Sequence, residues 1–368
     1  MHLYIHVPFC ARRCSYCDFA IAVRRVVPTP AFVDAVRREW LGWQNHPVWE
    51  GSGEVDTIYF GGGTPSRLDA AGIAELLDAI RRQRAVSPDA EVTLEANPDD
   101  VTRARARGWR AAGVNRISLG VQSFDPAVLR WMHRTHTAEQ VAPALEAVRE
   151  AGIEDVSLDL IFGLPAALDR AWERDLSLAF ALAPTHLSLY GLTVEPHTPL
   201  GRWTERGEVR PVDEDRYAVE FLRAHRELAR HGFEHYEVSN AGLPGRRARH
   251  NSAYWSRHPY IGLGPSAHSG FGRTRRWNLR DWSAYERASG AGESVEGGRE
   301  ELTEEAVELE ETYLGLRTAD GLPAERLAAE TVAAWTQAGW ARITPTRRLC
   351  LTAEGWLRLD ALVASVTA

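Results

Sequence analysis

The chain of 368 residues contains no lysine, so every one of its 43 Lys+Arg positions is arginine; this carries no functional weight by itself. No stretch approaches 18 apolar residues, which argues against a transmembrane helix. The opening MHLYIHVPF lacks the basic n-region and apolar run of a signal peptide. Cysteine is scarce, with four in all. Few cysteines and no export signal predict a reducing, cytosolic setting, where clustered thiols bind metal more often than they pair. The glycine-rich segment GGGTPS (61–66) is neither a Walker loop nor a G-x-G-x-x-G fingerprint. With 50 acidic residues against 43 basic, the net charge of −7 argues against bulk binding to nucleic acid.

What remains is an ordinary globular composition, 44% hydrophobic and 25% charged. The length suits one large α/β domain with a smaller appendage. Thirteen tryptophans are many, and those in apolar patterns (Trp131, Trp172, Trp335, Trp340, Trp356) predict core packing. Short β-branched runs at Leu3–Val7, Val55–Phe60, Glu91–Glu95, Val114–Gly120, Asp155–Ile161 and His186–Tyr190 alternate with amphipathic stretches such as Pro30–Trp43, Asp69–Arg84, Ala138–Ala151 and Ala167–Leu182. That alternation predicts parallel β-α units, a partial barrel competing with an open doubly wound sheet. Polar residues at successive strand ends favour the barrel, whose site lies at the C-terminal mouth. Residues 191–211 read as a long loop, Glu214–His231 as a helix, and 289–299 (SGAGESVEGGR) as a linker. Residues 1–290 are therefore expected to form the barrel with an extension, its core within about 1–200, and 300–368 a helical, winged-helix-like unit.

Three of the cysteines, Cys10, Cys14 and Cys17, lie in FCARRCSYCDF; the fourth is Cys350. C-x3-C-x2-C provides three thiolates, enough for a [4Fe–4S] cluster with one iron open. Zinc, completed by His6 or Asp18, and plain buried cysteines are the other readings. Glycines after a strand allow close backbone approach to a ligand, or simply a tight turn. Glu95, Gln122 and Arg134 are polar residues near strand ends, any of which solvent could satisfy. Asp159 differs: it sits inside the apolar run VSLDLIF, where an unpartnered carboxylate is costly, so protein or ligand must supply a partner. RRARHNSAYW reads either as a surface loop with an aromatic anchor or as a site for a flat, acidic ligand. In the second reading arginine pairs carboxylates, histidine ligates iron and aromatics stack.

The segment YIHVPFCARRCSYCDF, followed in order by GGGTP, LEANP, GVQSFD and DLIFGLP, closely resembles the radical S-adenosylmethionine (SAM) proteins of the oxygen-independent coproporphyrinogen III oxidase type. The likeness covers essentially the whole chain. It implies a radical SAM partial (β/α)6 barrel of TIM type, with Cys10, Cys14 and Cys17 on the cluster and the open iron on SAM. Tyr4, Tyr16, Gly62, Gly63, Thr64, Glu95, Gln122, Arg134 and Asp159 match SAM-contact positions. Two branches of the family differ beside the cluster. The oxidase branch carries a further cysteine two residues after the motif and a long N-terminal arm; here Phe19 stands at that position and nine residues precede Cys10. The HemW-like branch carries H-N-x-x-Y-W, matched by His250-Asn251-Ser252-Ala253-Tyr254-Trp255. The resemblance thus implies a haem chaperone that passes haem to haem-requiring, including respiratory, proteins; transient docking at membrane-bound recipients is compatible with the sequence but not implied by it. His250 is the expected haem contact, and the neighbouring Arg246, Arg247 and Arg249, on their chemistry and not on the resemblance, are candidates for propionate pairing. The alternative is radical oxidative decarboxylation of coproporphyrinogen III, which the same cluster and SAM residues suit.

Overall fold

Side chains along a strand point alternately to its two faces, and the first six strands alternate polar with apolar residues. In the computed structural model, which describes residues 1–50 and 53–367, this pattern separates an apolar outside from a polar inside. The strands are β1 (His2–Val7), β2 (Val55–Gly62), β3 (Val86–Ala96), β4 (Arg116–Gln122), β5 (Asp155–Phe162) and β6 (His186–Gly191). They pair in chain order and all in parallel. Ile5, Phe60, Leu94, Leu119, Leu158 and Leu187 are fully buried in one cluster with helix residues such as Phe32, Ile73 and Leu77. Each such side chain contributes roughly 2 kcal/mol through apolar burial. The helices covering this face are α1 (Thr29–Gly42), α2 (Ala70–Gln83), α3 (Arg103–Ala112), α5 (Val141–Glu150) and α6 (Trp172–Ala181), while α4 (Pro126–Trp131) packs through Val128 in a separate small cluster with Ile161 and Leu164. The opposite face carries Tyr4, His6, Tyr59, Glu95, Ser118, Asp159, His186 and Tyr190.

The sheet extends beyond these six strands. After α7 (Pro199–Glu205) and α8 (Glu214–Arg230), the hairpin β7 (Glu234–Glu237) and β8 (Asn240–Gly242) adds antiparallel strands beside β6. Following α9 (Arg249–Trp255), strand β9 (Tyr260–Leu263) joins β1 in parallel on the other side. Then β10 (His268–Phe271), β11 (Thr274–Asn278) and β12 (Glu296–Glu301) complete that edge antiparallel, with α10 (Trp282–Ala291) inserted before β12. The order of the twelve strands is linear, and among the described residues β12 and β7 do not pair, so the barrel stays open.

Two expectations are corrected. The supposed linker 289–299 ends α10, turns at Gly292 (φ 72°), and enters β12, which takes its ladder from β11. The supposed loop 191–211 contains α7, started by the Thr198 hydroxyl accepting from the Gly201 amide at 2.9 Å with Pro199 at the first position. The chain closes with α11 (Glu304–Arg317), β13 (Leu322–Pro323), α12 (Ala329–Gln337), the pair β14 (Ala341–Ile343) and β15 (Arg348–Leu351), then α13 (Ala353–Trp356) and α14 (Leu359–Thr367). β15 is the middle strand of a three-stranded antiparallel sheet.

Candidate functional site

The cysteine loop leaves the C-terminal end of β1 and is pinned at several points. Phe9–Cys10 pairs with Ala22–Val23, the Ser15 amide donates to the Met132 carbonyl at 3.1 Å, and the Ser15 carbonyl accepts from the Leu200 amide at 2.8 Å. Cys10 is buried, while Cys14 and Cys17 are partly exposed. The Thr64 hydroxyl donates to the Cys10 sulfur at 3.3 Å, and Arg134 Nη1 approaches the Cys14 sulfur at 3.7 Å. Burial pushes the Cys17 thiol up to about 11 and raises Cys10 as well. Metal binding must therefore release their protons. Among the described residues no three His, Cys, Asp or Glu groups are arranged to hold one single ion. A [4Fe–4S] cluster asks for a different arrangement, one thiolate at each of several irons.

All three cysteines line a cavity of about 450 Å³ together with Tyr16, Gly62, Gly63, Thr64, Glu95, Gln122, Arg134 and Asp159. Eight of the nine residues matched to SAM contacts are thus brought together. Gly62 and Gly63 are tight for structural reasons too: a Cβ on Gly62 (φ 109°) would lie 2.6 Å from the His6 ring, and one on Gly63 2.7 Å from the Pro8 backbone. Their amides are already used, Gly62 by Glu95 at 3.0 Å and Gly63 by the Val7 carbonyl at 2.8 Å. This loop therefore offers a ligand shape and carbonyl oxygens, which suit an ammonium group. Gln122 has a positive φ of 66°, next to a register shift between β4 and β5. Such a bulge re-aims a side chain at a strand end. Arg134 Nη2 is held by Asn97 Oδ1 at 2.5 Å and the Gly120 carbonyl at 2.8 Å.

Of the carboxyl groups lining this cavity, Glu95 and Asp159 project from the strands themselves and, among the described residues, have no ion-pair partner. Glu95 accepts from the Tyr59 hydroxyl at 2.8 Å as well as from Gly62, and burial, with the neighbouring Asp159 charge, lifts its pKa to about 7. Asp159 finds its required partner within the protein: the Ser118 hydroxyl lies 2.9 Å from Oδ2, and the Ser157 hydroxyl 3.1 Å from Oδ1. Burial nevertheless raises its pKa. Beside the three thiols, the Glu95–Asp159 side of the recess is desolvated and holds these two carboxyls with no ion-pair partner among the described residues, which suits a positively charged group, while Arg134 lines the same cavity by Cys14.

Tyr4 and His250 do not reach this cavity. Tyr4 points to a second one of about 530 Å³, with its hydroxyl 3.1 Å from His6 Nδ1. His250 is buried (1% exposed) and both ring nitrogens are engaged, Nδ1 with the Thr57 hydroxyl at 2.6 Å and Nε2 with the Tyr254 hydroxyl at 2.8 Å. The expectation of a direct haem contact is corrected accordingly: His250 is a spacer between β2 and α9, stacked on Tyr59 at 5.0 Å. The backbone amides of Arg249 and His250 at the start of α9 donate to the Glu91 carboxylate at 2.8 and 3.0 Å. The three arginines line neither cavity; Arg246 meets Asp155, Arg247 meets Asp320 and Glu234, and Arg249 meets Asp89. Sequence reasoning missed Tyr59, Asn97, Ser118 and Tyr190, all of which line the cysteine cavity. Ser118 stands directly opposite Glu95 in the ladder, and Tyr59 and Tyr190 stand opposite Thr93 and Ile161, two residues along from Glu95 and Asp159, so strand alternation marks all three as inward-facing.

An open parallel barrel with C-x3-C-x2-C at the end of its first strand defines a radical SAM protein, and residues 4–179 match the radical SAM superfamily. The chain is 38% identical over 335 residues to the heme chaperone HemW of Synechocystis sp., covering 87% of this chain and 78% of that one. It is 37% identical over 373 residues to the heme chaperone HemW of Mycobacterium tuberculosis, covering 99% and 94%. The solved structure of coproporphyrinogen III oxidase (HemN) from Escherichia coli superposes with a TM-score of 0.81 over 98% of this chain and 88% of that chain, at 22% identity, a likeness of fold. The chain belongs to the HemW family of radical SAM proteins.

Proposed function

We propose that this chain binds haem and delivers it to haem-requiring proteins, and that it carries a [4Fe–4S] cluster and SAM at the barrel mouth. The observation that carries the reading is the kinship over nearly the full chain with proteins named heme chaperone, joined to Phe19 beside the cluster motif. Phe19 is 57% exposed and lines both cavities. In this reading Cys10, Cys14 and Cys17 hold three irons of the cluster. Gly62, Gly63 and Thr64 border the methionine portion of SAM, and Glu95, Gln122, Arg134 and Asp159 receive its ammonium and ribose. Tyr16 walls the same space. When bound, the cluster supplies an electron to SAM. The protein's own contribution is a recess whose carboxyls orient the cationic end of the ligand.

Anaerobic purification with cluster reconstitution, followed by haem titration and coproporphyrinogen III turnover on one sample, tests this. Stoichiometric haem binding with transfer to an apo-haemoprotein, and no protoporphyrinogen, is the expected result. Robust protoporphyrinogen formation, or no haem uptake, overturns it.

A further inference from the structure

The second cavity has a chemistry of its own. It lies between the cysteine loop, the β9–β10 edge of the sheet and α11, and shares Asp18, Phe19 and Gly62 with the first. Its walls are aromatic, with Tyr4, Tyr254, Trp255 and Tyr260 supplying flat apolar surface. Tyr254 and Tyr260 meet edge to face at 4.7 Å, and Trp255 is held from behind by the Arg317 guanidinium 4.4 Å from its ring. Three guanidiniums also line it, those of Arg257, Arg275 and Arg280. Arg257 and Arg275 share the single carboxylate of Glu310, whereas Arg280 donates to the backbone carbonyl of Asp18 at 3.1 Å. Even counting Asp18, the wall keeps an excess positive charge.

Three histidines face the same space, and only some of their nitrogens are free. His6 is used up, by Tyr4 at 3.1 Å and by the Ala20 carbonyl at 2.9 Å. His258 lies flat on His2, rings 5.7 Å apart and 3° from parallel. His268 opens β10 with its ring steadied by Trp277 at 5.9 Å, and among the described residues neither of its nitrogens has a hydrogen-bond partner. Burial lowers its pKa, which favours the neutral imidazole that ligates metals.

Resting on the haem reading above, we propose that haem is seated in this second cavity, with His268 ligating its iron, the aromatic walls holding the ring and Arg280 receiving a propionate. A planar aromatic dianion bearing a Lewis-acidic metal is the ligand class that uses all three features together.

The test compares wild type, His268→Ala, Arg280→Gln and His258→Ala by absorbance and quenching titrations with haem and with iron-free protoporphyrin. His268→Ala should weaken haem binding at least tenfold and change the Soret band, while leaving iron-free protoporphyrin affinity within twofold; added imidazole should restore the band. Arg280→Gln should weaken both ligands by a similar factor, and His258→Ala neither. Unchanged haem affinity and spectrum in His268→Ala, with wild type binding normally, overturns the site but not the haem reading. Failure of wild type to bind haem overturns both. Because retained protoporphyrin binding reports a folded cavity, a misfolded variant cannot imitate the expected result.

Discussion

Glu95 should govern the pH dependence of the barrel mouth. Burial, reinforced by the Asp159 charge, lifts its pKa from 4.5 to about 7, even though Tyr59 and Gly62 donate to it. At 1.4 kcal/mol per unit, holding the carboxylate ionised in the ligand-free protein costs about 3 kcal/mol relative to water. The groups facing it are the Tyr59 and Tyr4 phenols, the Asp159 carboxyl and the Gly62 amide, none of them a cation. A cationic ligand supplies the missing charge, but below pH 7 it must first displace a proton. The apparent Kd for SAM should therefore fall roughly fifteenfold between pH 5.5 and 7 and then level off. Calorimetry on anaerobic, cluster-loaded protein over pH 5.5–7.5 measures this below the titration of an ordinary α-amino group. Glu95→Gln should bind more weakly with no such slope, and Asp159→Asn should move the midpoint to lower pH. Stability has the opposite sign. A raised carboxyl pKa contributes stability that is fully present below the unfolded value and is lost as pH rises through the folded value. Ligand-free Glu95→Gln should thus gain on wild type by up to about 3 kcal/mol between pH 5 and 8, read by urea unfolding. A wild-type Kd flat across that range, or a slope retained in Glu95→Gln, refutes the reasoning.

Removing any one of Cys10, Cys14 and Cys17 by alanine should abolish iron uptake on reconstitution, whereas Cys350→Ala, at a site 1% exposed in the C-terminal sheet, should retain it, both followed by iron content and visible absorbance. Gly63→Ala should lower cluster yield severalfold, because the added Cβ meets immovable Pro8 backbone at 2.7 Å, two residues before Cys10; full yield would show that β1 can shift. His250→Ala should cost about 2–4 kcal/mol of unfolding free energy through lost packing and two broken hydrogen bonds, yet keep the wild-type Soret band; loss of that band in a folded variant would return His250 to the haem site.

Much of the barrel was legible because each unit obeys local rules: strands of six to eleven residues, amphipathic helices between them, and polar groups where strands end. β9 was not, since a strand that reaches β1 from more than 250 residues away leaves no local trace of its partner. The same limit hid β12, whose Gly-rich, charged sequence looks like a linker until β11 provides its ladder. At the site the cysteines and glycines carry spacing signals, and eight of nine matched positions converge. His250 misled because a histidine in a distinctive motif was credited with a ligand, when burial and two neighbouring hydroxyls satisfy it completely. His268 lies in the plain-looking segment PSAHSGF, and only the surrounding cavity singles it out.

One signal was present in the sequence and carries more than the motifs do. Parallel strands buried on both faces usually read as continuous apolar runs, and a closed eight-stranded barrel fills its interior with branched aliphatic side chains. Here HLYIHV, DTIYFG, EVTLEA, RISLGVQ, DVSLDLIF and HLSLYG all alternate. Their apolar members meet the helices, so the polar members must face inward, where each needs a partner. Serine hydroxyls, tyrosine hydroxyls and imidazoles supply many of these across strands, as Ser118 does for Asp159 and Ser157 for His186 at 2.8 Å. Glu95 and Asp159 still keep raised pKa values after that accounting. Residual negative charge inside the sheet, which Arg116 offsets only in part at Asp159, is a cost to folding, and it is relieved when a cation enters. The alternation therefore announces a ligand-holding interior, and the unbalanced carboxyls state the sign of the ligand's charge.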